Sequence, residues 1–172
     1  MQTPVTLAAL NALDKAAFVE TIGFVFEDTP WIAAQVWQQR PFASLSDLYT
    51  ALCRVMYEAT PAQQLALICA HPDLAGRATQ QGSLGTSSAS EQATAGLDRL
   101  TPDEIEQFTR YNTAYRERFG FPFIICVREN KKAGILAGFA ARLPNSRKQE
   151  IATALDEIAR IAWLRLCDAV HM

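Results

Sequence analysis

His71 is the residue whose chemistry and position point most directly to catalysis. The chain holds two histidines, and the other one, His171, is the penultimate residue, where the chain is expected to fray. If the protein uses an imidazole near neutral pH, that imidazole belongs to His71. The residue stands before Pro72 at the predicted end of a helix, where the helix dipole favours a charged imidazole that can donate a proton. The alternative is a histidine that merely bonds the last carbonyls of that helix.

Glu91 and Gln92 follow Ser88 at the predicted start of another helix. Ser88-x-x-Glu91 has the spacing of a capping box, in which the glutamate reaches back to the serine backbone. This structural interpretation has support, because residues 101–104 and 146–149 show the same pattern. A helix N-terminus also presents N–H groups that bind anions, so Glu91 is a candidate both for the cap and for acid–base chemistry.

Arg165 is a charged residue that is predicted to face the core. Its position continues a stripe on the last helix with spacings of three and four residues, formed by Ile151, Leu155, Ile158, Ala162, Arg165 and Ala169. A buried guanidinium needs a partner, which is either a carboxylate of the core or a carboxylate of a ligand. The alternative is an arginine that extends along the helix towards solvent.

The elements that must position these residues are helices. Helical periodicity dominates, and we predict an all-α fold: a single-domain, multi-helix bundle over residues 1–172. A capping side chain or a proline marks most helix starts, and one further helix begins near Ala133. The marked starts are Asp14, Thr29-Pro30, Ser44, Thr60-Pro61, Ser88, Thr101-Pro102 and Ser146.

Two segments break the helical pattern. Residues 71–87 are rich in Gly, Ser, Thr and Gln and form the longest irregular stretch, which is typical of a functional loop. Residues 121–127, FPFIICV, form an apolar run that resembles a buried strand. Because no second convincing strand exists to pair with it, we predict an extended segment packed between helices.

Composition excludes several classes of function. Sixteen basic and eighteen acidic residues give a net charge of −2, which argues against a nucleic-acid-binding protein. No apolar run approaches the roughly 20 residues that span a bilayer, and no signal peptide is apparent, so we expect no membrane partner. The four cysteines, at 53, 69, 126 and 167, stand among apolar neighbours and are predicted to be reduced and buried. Their spacing predicts no metal site.

Five motifs together carry a family resemblance. HPDLAG (71–76), SxxEQ (88–92) followed by AGL (95–97), and FGFPFIICVR (119–128) occur in this order, with PW at 30–31 and RL at 165–166. The ordered set resembles the 2-oxo-4-hydroxy-4-carboxy-5-ureidoimidazoline (OHCU) decarboxylase family over nearly the whole chain. The resemblance implies an all-α fold and the third step of urate breakdown, the decarboxylation of OHCU to (S)-allantoin without a cofactor.

The resemblance also implies roles for individual residues. His71, Glu91 and Arg165 are the expected catalytic residues, converging on one dry cavity. The expected substrate-binding residues are Pro72, Ser88, Gln92, Phe121, Phe123, Ile124 and Ile125. Ser87 departs from the acidic residue that family members often carry there. The chain ends Val170-His171-Met172 rather than in a peroxisomal tripeptide, so a cytoplasmic location is expected, with a homodimer as the commonest symmetric assembly.

Two alternatives compete with this reading. A helical interaction module would use Trp31, Trp37 and the FPFII segment as a docking groove, and would show a large exposed apolar patch. A hydrolase of ureido compounds would need a positioned water or a metal ion. Release of carbon dioxide distinguishes the decarboxylase from both alternatives.

Overall fold

A computed structural model of the protein describes residues 4–76 and 86–171. The chain forms two compact units: residues 1–70 with 159–172, and residues 71–158. The first unit contains α1 (Leu7–Ala12), α2 (Lys15–Ile22), α3 (Trp31–Val36), α4 (Leu45–Glu58) and α5 (Pro61–Ala70). The second contains α6 (Thr86–Thr94), α7 (Pro102–Phe119) and α8 (Lys132–Arg142). Helix α9 (Arg147–Ala169) contributes residues to both units.

Local capping signals explain where several helices begin. The side chains of Asp14 and Ser44 accept the N–H groups of Ala17 and Asp47 at 2.8 and 3.0 Å. Thr101 and Glu104 form a complete capping box at the start of α7. Because each cap satisfies N–H groups that the first helical turn leaves open, these starts follow from sequence. The predicted all-α class is confirmed by these helices.

The start of α6 differs from the prediction. The helix already includes Thr86, so Ser88 lies within it and is not its N-cap. The predicted capping box of Ser88 and Glu91 is therefore wrong. Of the predicted loop 71–87, residues 71–76 are non-helical, residues 77–85 lie outside the described residues, and residues 86 and 87 are helical.

The two ends of the first unit form a small parallel pairing that the sequence did not predict. Strand β1 (Val5–Thr6) pairs with β2 (Val170–His171), in the register Val5 with Val170 and Thr6 with His171. The expected fraying of His171 is therefore wrong, because its backbone is held in this pairing. Each strand has two residues, which are too few to produce the alternating pattern by which strands are recognised in a sequence.

The non-helical segment near residue 121 is confirmed. Helix α7 ends at Gly120, whose φ of 79° is the left-handed conformation that glycine adopts without steric cost. Residues 121–126 then form neither helix nor strand, and a 3₁₀ turn begins at Val127. Within residues 4–76 and 86–171, none of the helices combines the length and hydropathy needed to cross a bilayer.

The cysteines divide into two pairs by exposure. Cys53 and Cys126 are buried, but Cys69 and Cys167 are exposed, so the prediction of four buried thiols is wrong for these two. Each exposed cysteine directly follows a buried leucine or isoleucine, Ile68 or Leu166. Adjacent helical residues point in different directions, so apolar neighbours in sequence do not imply burial.

We expect thiol labelling to separate these pairs. Burial raises the pKa of the Cys53 and Cys126 thiols, so little reactive thiolate forms there at neutral pH. Cys69 and Cys167 are expected to react with a chromogenic disulfide reagent at once in the native protein. All four should react in concentrated guanidinium chloride. Rapid native release of four equivalents would contradict the burial of the first pair.

Candidate active site

His71 begins the irregular segment that follows α5. Its side chain is 5% exposed, and it opens residues 71–76, which form neither helix nor strand. The predicted position after a helix end is confirmed. A buried imidazole on a segment without regular structure depends on surrounding side chains for its orientation, so the contacts of this segment matter.

Gln92 on α6 binds the backbone of the His71 segment. The Ala75 N–H donates to Gln92 Oε1 at 2.9 Å, and Gln92 Nε2 donates to the Asp73 carbonyl at 3.3 Å. The amide is 2% exposed, so both bonds are shielded from water. The predicted role of Gln92 in substrate binding stays a prediction, but the structure adds a second role: it links α6 to this segment.

Two further side chains hold the same segment from α7. Asn112 Nδ2 donates to the Leu74 carbonyl at 2.8 Å, and Arg116 Nε donates to both carboxylate oxygens of Asp73 at 2.8 and 3.1 Å. Neither Asn112 nor Arg116 was predicted from the sequence. Asn112 nevertheless carried a signal, because it lies on one apolar stripe with Phe108, Tyr115 and Phe119.

The other predicted residues of the second unit lie on or beside these elements. Pro72 and Glu91 are partly buried, and Ser88 is buried near the start of α6. His71 and its loop contacts thus share the unit that contains Ser88, Glu91 and Gln92. Their catalytic and binding roles stay predictions.

The FPFII segment is fixed by aromatic packing. Phe121, Phe123 and Ile124 are buried, and Ile125 is partly buried. The Phe123 ring stacks on Phe139 of α8, with ring centroids 3.9 Å apart. An apolar wall of this kind excludes water. Its predicted contact with a substrate stays a prediction.

A buried charged cluster supports this wall. Arg142 Nη1 donates to the Ile124 carbonyl at 2.7 Å, and the guanidinium lies 4.3 Å from the Phe123 ring centroid. Glu150, at 0% exposure, accepts hydrogen bonds from Arg142, Asn145 and the Tyr115 hydroxyl. Burial, together with the Glu150 hydrogen bond, raises the pKa of Tyr115 well above its usual value, so Tyr115 stays a neutral donor.

Arg165 lies in the first unit and is 3% exposed, which confirms its predicted inward direction. Its Nη1 donates to Glu27 Oε2 at 2.8 Å and lies 3.4 Å from the Phe24 carbonyl oxygen. The sequence left two partners open for Arg165, a carboxylate of the core or one of a ligand, and the structure shows the first. Glu27 was not predicted from the sequence. The Glu27 backbone has φ 51° and ψ −142°, a conformation that favours glycine. No local sequence pattern therefore indicates that a glutamate at this position forms an ion pair.

A surface depression of about 430 Å³ also lies in the first unit. Its lining consists of Gln35, Gln38, Gln39, Arg54, Val55 and Glu58. Arg54 already donates to Gln39 at 2.5 Å, and none of the predicted site residues contributes to this lining. The lining offers three amides, one guanidinium and one carboxylate, without a buried group suited to acid–base chemistry.

The alternative of a helical interaction module requires Trp31, Trp37 and the FPFII segment to be exposed, and this expectation is wrong. The FPFII segment is buried or partly buried within the second unit rather than exposed. Trp31 and Trp37 are partly buried, and the Trp37 indole donates to the Leu13 carbonyl at 3.1 Å. Among the described residues, Tyr57 is the large apolar side chain that stands exposed. These positions do not form the predicted apolar patch.

Comparison with known proteins gives a consistent family assignment. Residues 11–167 match the family model described as OHCU decarboxylase. The chain is 42% identical over 164 residues to the 2-oxo-4-hydroxy-4-carboxy-5-ureidoimidazoline decarboxylase of Halalkalicoccus jeotgali, covering 95% of this chain and 91% of that relative. It is 39% identical to the uric acid degradation bifunctional protein PucL of Bacillus subtilis, covering 96% of this chain and 33% of PucL.

A solved structure supports the same assignment. The crystal structure of (S)-allantoin synthase resembles this chain with a TM-score of 0.79 at 29% sequence identity. The similarity covers 98% of this chain, which spans about half the length of that protein, 54%. The fold and the sequence therefore point to the same group of proteins.

Proposed function

This chain belongs to the OHCU decarboxylase family, and we propose that it converts OHCU to (S)-allantoin and carbon dioxide in urate breakdown. The observation that carries the proposal is the match of residues 11–167 to the family model, at 42% identity to a relative named for this activity. The ordered motifs at 71–76, 88–92 and 119–128 lie within the matched range.

The reaction needs little beyond positioning and proton transfer. When the C–C bond to the carboxylate breaks, its electron pair stays on the ring carbon, next to a C=N bond of the substrate. That C=N bond accepts the electron pair, the substrate hydroxyl becomes the carbonyl of allantoin, and a proton adds to the neighbouring ring carbon. Because the substrate supplies this electron sink, we expect no cofactor of the kind that other decarboxylases use.

His71 is the proposed central catalytic residue. Its imidazole pairs with the hydroxyl or carboxylate of the substrate, orients the breaking bond and stabilises the developing charge. Its burial supports this role, because electrostatic interactions are stronger where water is excluded. The bonds from Gln92, Asn112 and Arg116 to the segment that follows it also favour a fixed orientation.

The remaining residues are proposed to bind and orient the substrate. Glu91 and Gln92 hold the ureido group and ring, with Ser88 and Pro72 beside them. Residues 121–125 supply an apolar wall, which favours loss of the charged carboxylate as neutral carbon dioxide. Arg165, whose Nη1 also donates to Glu27, is proposed to bind anionic oxygens of the substrate through its planar fork. Their convergence, like the homodimer, the cytoplasmic location and the single domain, stays a prediction.

The test is to supply freshly generated OHCU and follow the chirality of allantoin by circular dichroism. We expect (S)-allantoin to form faster than by spontaneous decay, which gives a racemic product, and carbon dioxide to appear in equal amount. Formation of racemic allantoin at the spontaneous rate would contradict the proposal. Hydrolysis of the ureido group without release of carbon dioxide would instead support the hydrolase alternative.

A further inference from the structure

The backbone that follows His71 is buried without regular secondary structure. Leu74 and Ala75 are both buried, and residues 72, 73 and 76 are partly buried. Buried carbonyl and N–H groups need hydrogen-bond partners, and in this segment neither a helix nor a sheet provides them. The conformation of the segment therefore depends on side chains from elsewhere in the second unit.

Three consecutive residues receive their partners from two helices. From α6, Gln92 bonds the Asp73 carbonyl and the Ala75 N–H. From α7, Asn112 bonds the Leu74 carbonyl that lies between them. One turn later on α7, Arg116 binds the Asp73 carboxylate through two contacts. We call these three side chains the loop clamp: Gln92, Asn112 and Arg116.

The segment held by the loop clamp is tight and strained. Ala75 has a φ of 51°, which L-residues with a Cβ adopt at a cost. A Cβ added at Gly76 would lie 2.9 Å from the Cβ of Asp73, closer than carbon atoms approach without displacement. Such a turn persists because the surrounding bonds hold it, so loss of one bond is expected to change the path of the chain near His71.

Asn112 places a polar side chain inside the second unit, with one atom unsatisfied among the described residues. It occupies an apolar stripe position of α7 at 7% exposure. Its Nδ2 bonds Leu74, but its Oδ1 is buried without a hydrogen-bond partner in residues 4–76 and 86–171. A buried acceptor without a partner costs stability, and an apolar side chain at this position would avoid that cost only by leaving the buried Leu74 carbonyl without its donor. The bond to Leu74 is the contribution that offsets this cost.

We propose that Asn112, assisted by Arg116, is a positioning residue that fixes the orientation of His71 through the Leu74 and Asp73 contacts. This inference rests on the proposed function, because it assumes that His71 acts in catalysis. Asn112 does not itself touch the substrate. A displacement of about 1 Å in a reacting group costs on the order of 100-fold in rate, so small movements of the loop have large effects on turnover.

The test compares Asn112→Ala and Asn112→Asp with a matched asparagine. Asn112→Asp keeps the shape and removes the Nδ2 donor. Asn11 in the first unit also bonds a loop backbone through its amide, at 2.9 Å to the Phe42 carbonyl and 2.9 Å from the Phe42 N–H. Asn11→Ala therefore measures the loss of two bonds of a similar kind. All three variants are assayed with OHCU at a temperature where circular dichroism shows them folded.

We expect both Asn112 variants to lower kcat at least 10-fold, with KM changed less than threefold. Asn11→Ala should lower the unfolding midpoint but keep kcat within twofold. At the surface, Arg116→Gln is expected to lower kcat about threefold, and Arg110→Gln, on the same helix and exposed, should leave it unchanged. The Arg116 variant decides the question if neither Asn112 variant folds.

The outcomes separate this inference from the proposed function. A wild-type protein without turnover counts against the proposed function. Wild-type turnover with kcat within twofold in the Asn112 variants overturns only the positioning role. Equal losses of kcat in Asn11→Ala and Asn112→Ala would show a general loosening of the fold, and would also overturn it. Arg116→Gln with unchanged kcat would remove Arg116 from the assignment and, if neither Asn112 variant folds, would overturn the positioning role as a whole.

Discussion

Replacing His71 with alanine or asparagine is expected to abolish turnover of OHCU, with a loss of about 1,000-fold or more in kcat. General acid–base catalysis by one side chain contributes about 10²–10⁴-fold, and this residue is also proposed to stabilise the developing charge. The asparagine variant keeps a polar side chain of similar reach but does not titrate near neutral pH. Both variants should keep the helical circular dichroism spectrum of the wild type.

The second histidine provides a matched control. His171 lies in β2 and is exposed, and the proposed mechanism gives it no role. His171→Asn is expected to keep full kcat, so a loss confined to the His71 variants would assign the activity to one imidazole. Full activity in either His71 variant would contradict the proposed catalytic role, whatever the stability of that variant.

The sequence predicted best those features that depend on neighbouring residues. Asp14, Ser44 and Thr101 cap helices as expected, because a cap needs its own side chain and N–H groups two or three residues later. Ser88 shows the same spacing to Glu91, but α6 already includes Thr86. The four-residue pattern does not distinguish a cap from a serine inside a helix, since it ignores whether the preceding residues are helical.

Partners that are distant in sequence could not be predicted. Helical spacing showed that Arg165 faces inward, but its partner, Glu27, lies 138 positions away. Asn112 lies on an apolar stripe, where a polar residue is a readable signal, but its target is a backbone carbonyl 38 positions away. Neither contact follows from the spacing of residues, because tertiary packing brings these elements together.

The substrate required the family resemblance. Periodicity predicted helices, and elimination selected His71, but neither property distinguishes one small anionic substrate from another. Only the ordered motifs carried that information, and the match over residues 11–167 supports it independently.

Glu150→Gln is expected to cause a large loss of stability in the second unit. Arg142, Asn145 and Tyr115 all donate hydrogen bonds to the two carboxylate oxygens. An amide offers one oxygen, and its NH₂ group would face donors. The change also leaves the Arg142 guanidinium, with 12% of its side chain exposed, without its counter-charge. Loss of one partner from a buried ion pair costs about 3–5 kcal/mol.

Urea unfolding followed by circular dichroism measures this loss. At about 2–4 °C for each kcal/mol in a chain of this size, a thermal scan should show a fall of roughly 10 °C. Glu104→Gln is the matched control, because it makes the same change in a more exposed pair with Lys132, whose side chains are 37% and 30% exposed, and keeps a capping oxygen. It should leave the midpoint nearly unchanged, since solvent screens such pairs. Equal unfolding midpoints for the two variants would contradict the proposed contribution of the buried cluster to stability.

The same substitution also tests whether Glu150 maintains the apolar wall that residues 121–125 form. Arg142 bonds both Glu150 and the Ile124 carbonyl, so a guanidinium that loses its carboxylate is expected to move and release this carbonyl. In the fraction of Glu150→Gln that stays folded, KM for OHCU should therefore rise several-fold, while Glu104→Gln keeps the wild-type value. Unchanged KM in a destabilised Glu150→Gln would show that Phe123 packing alone maintains the wall.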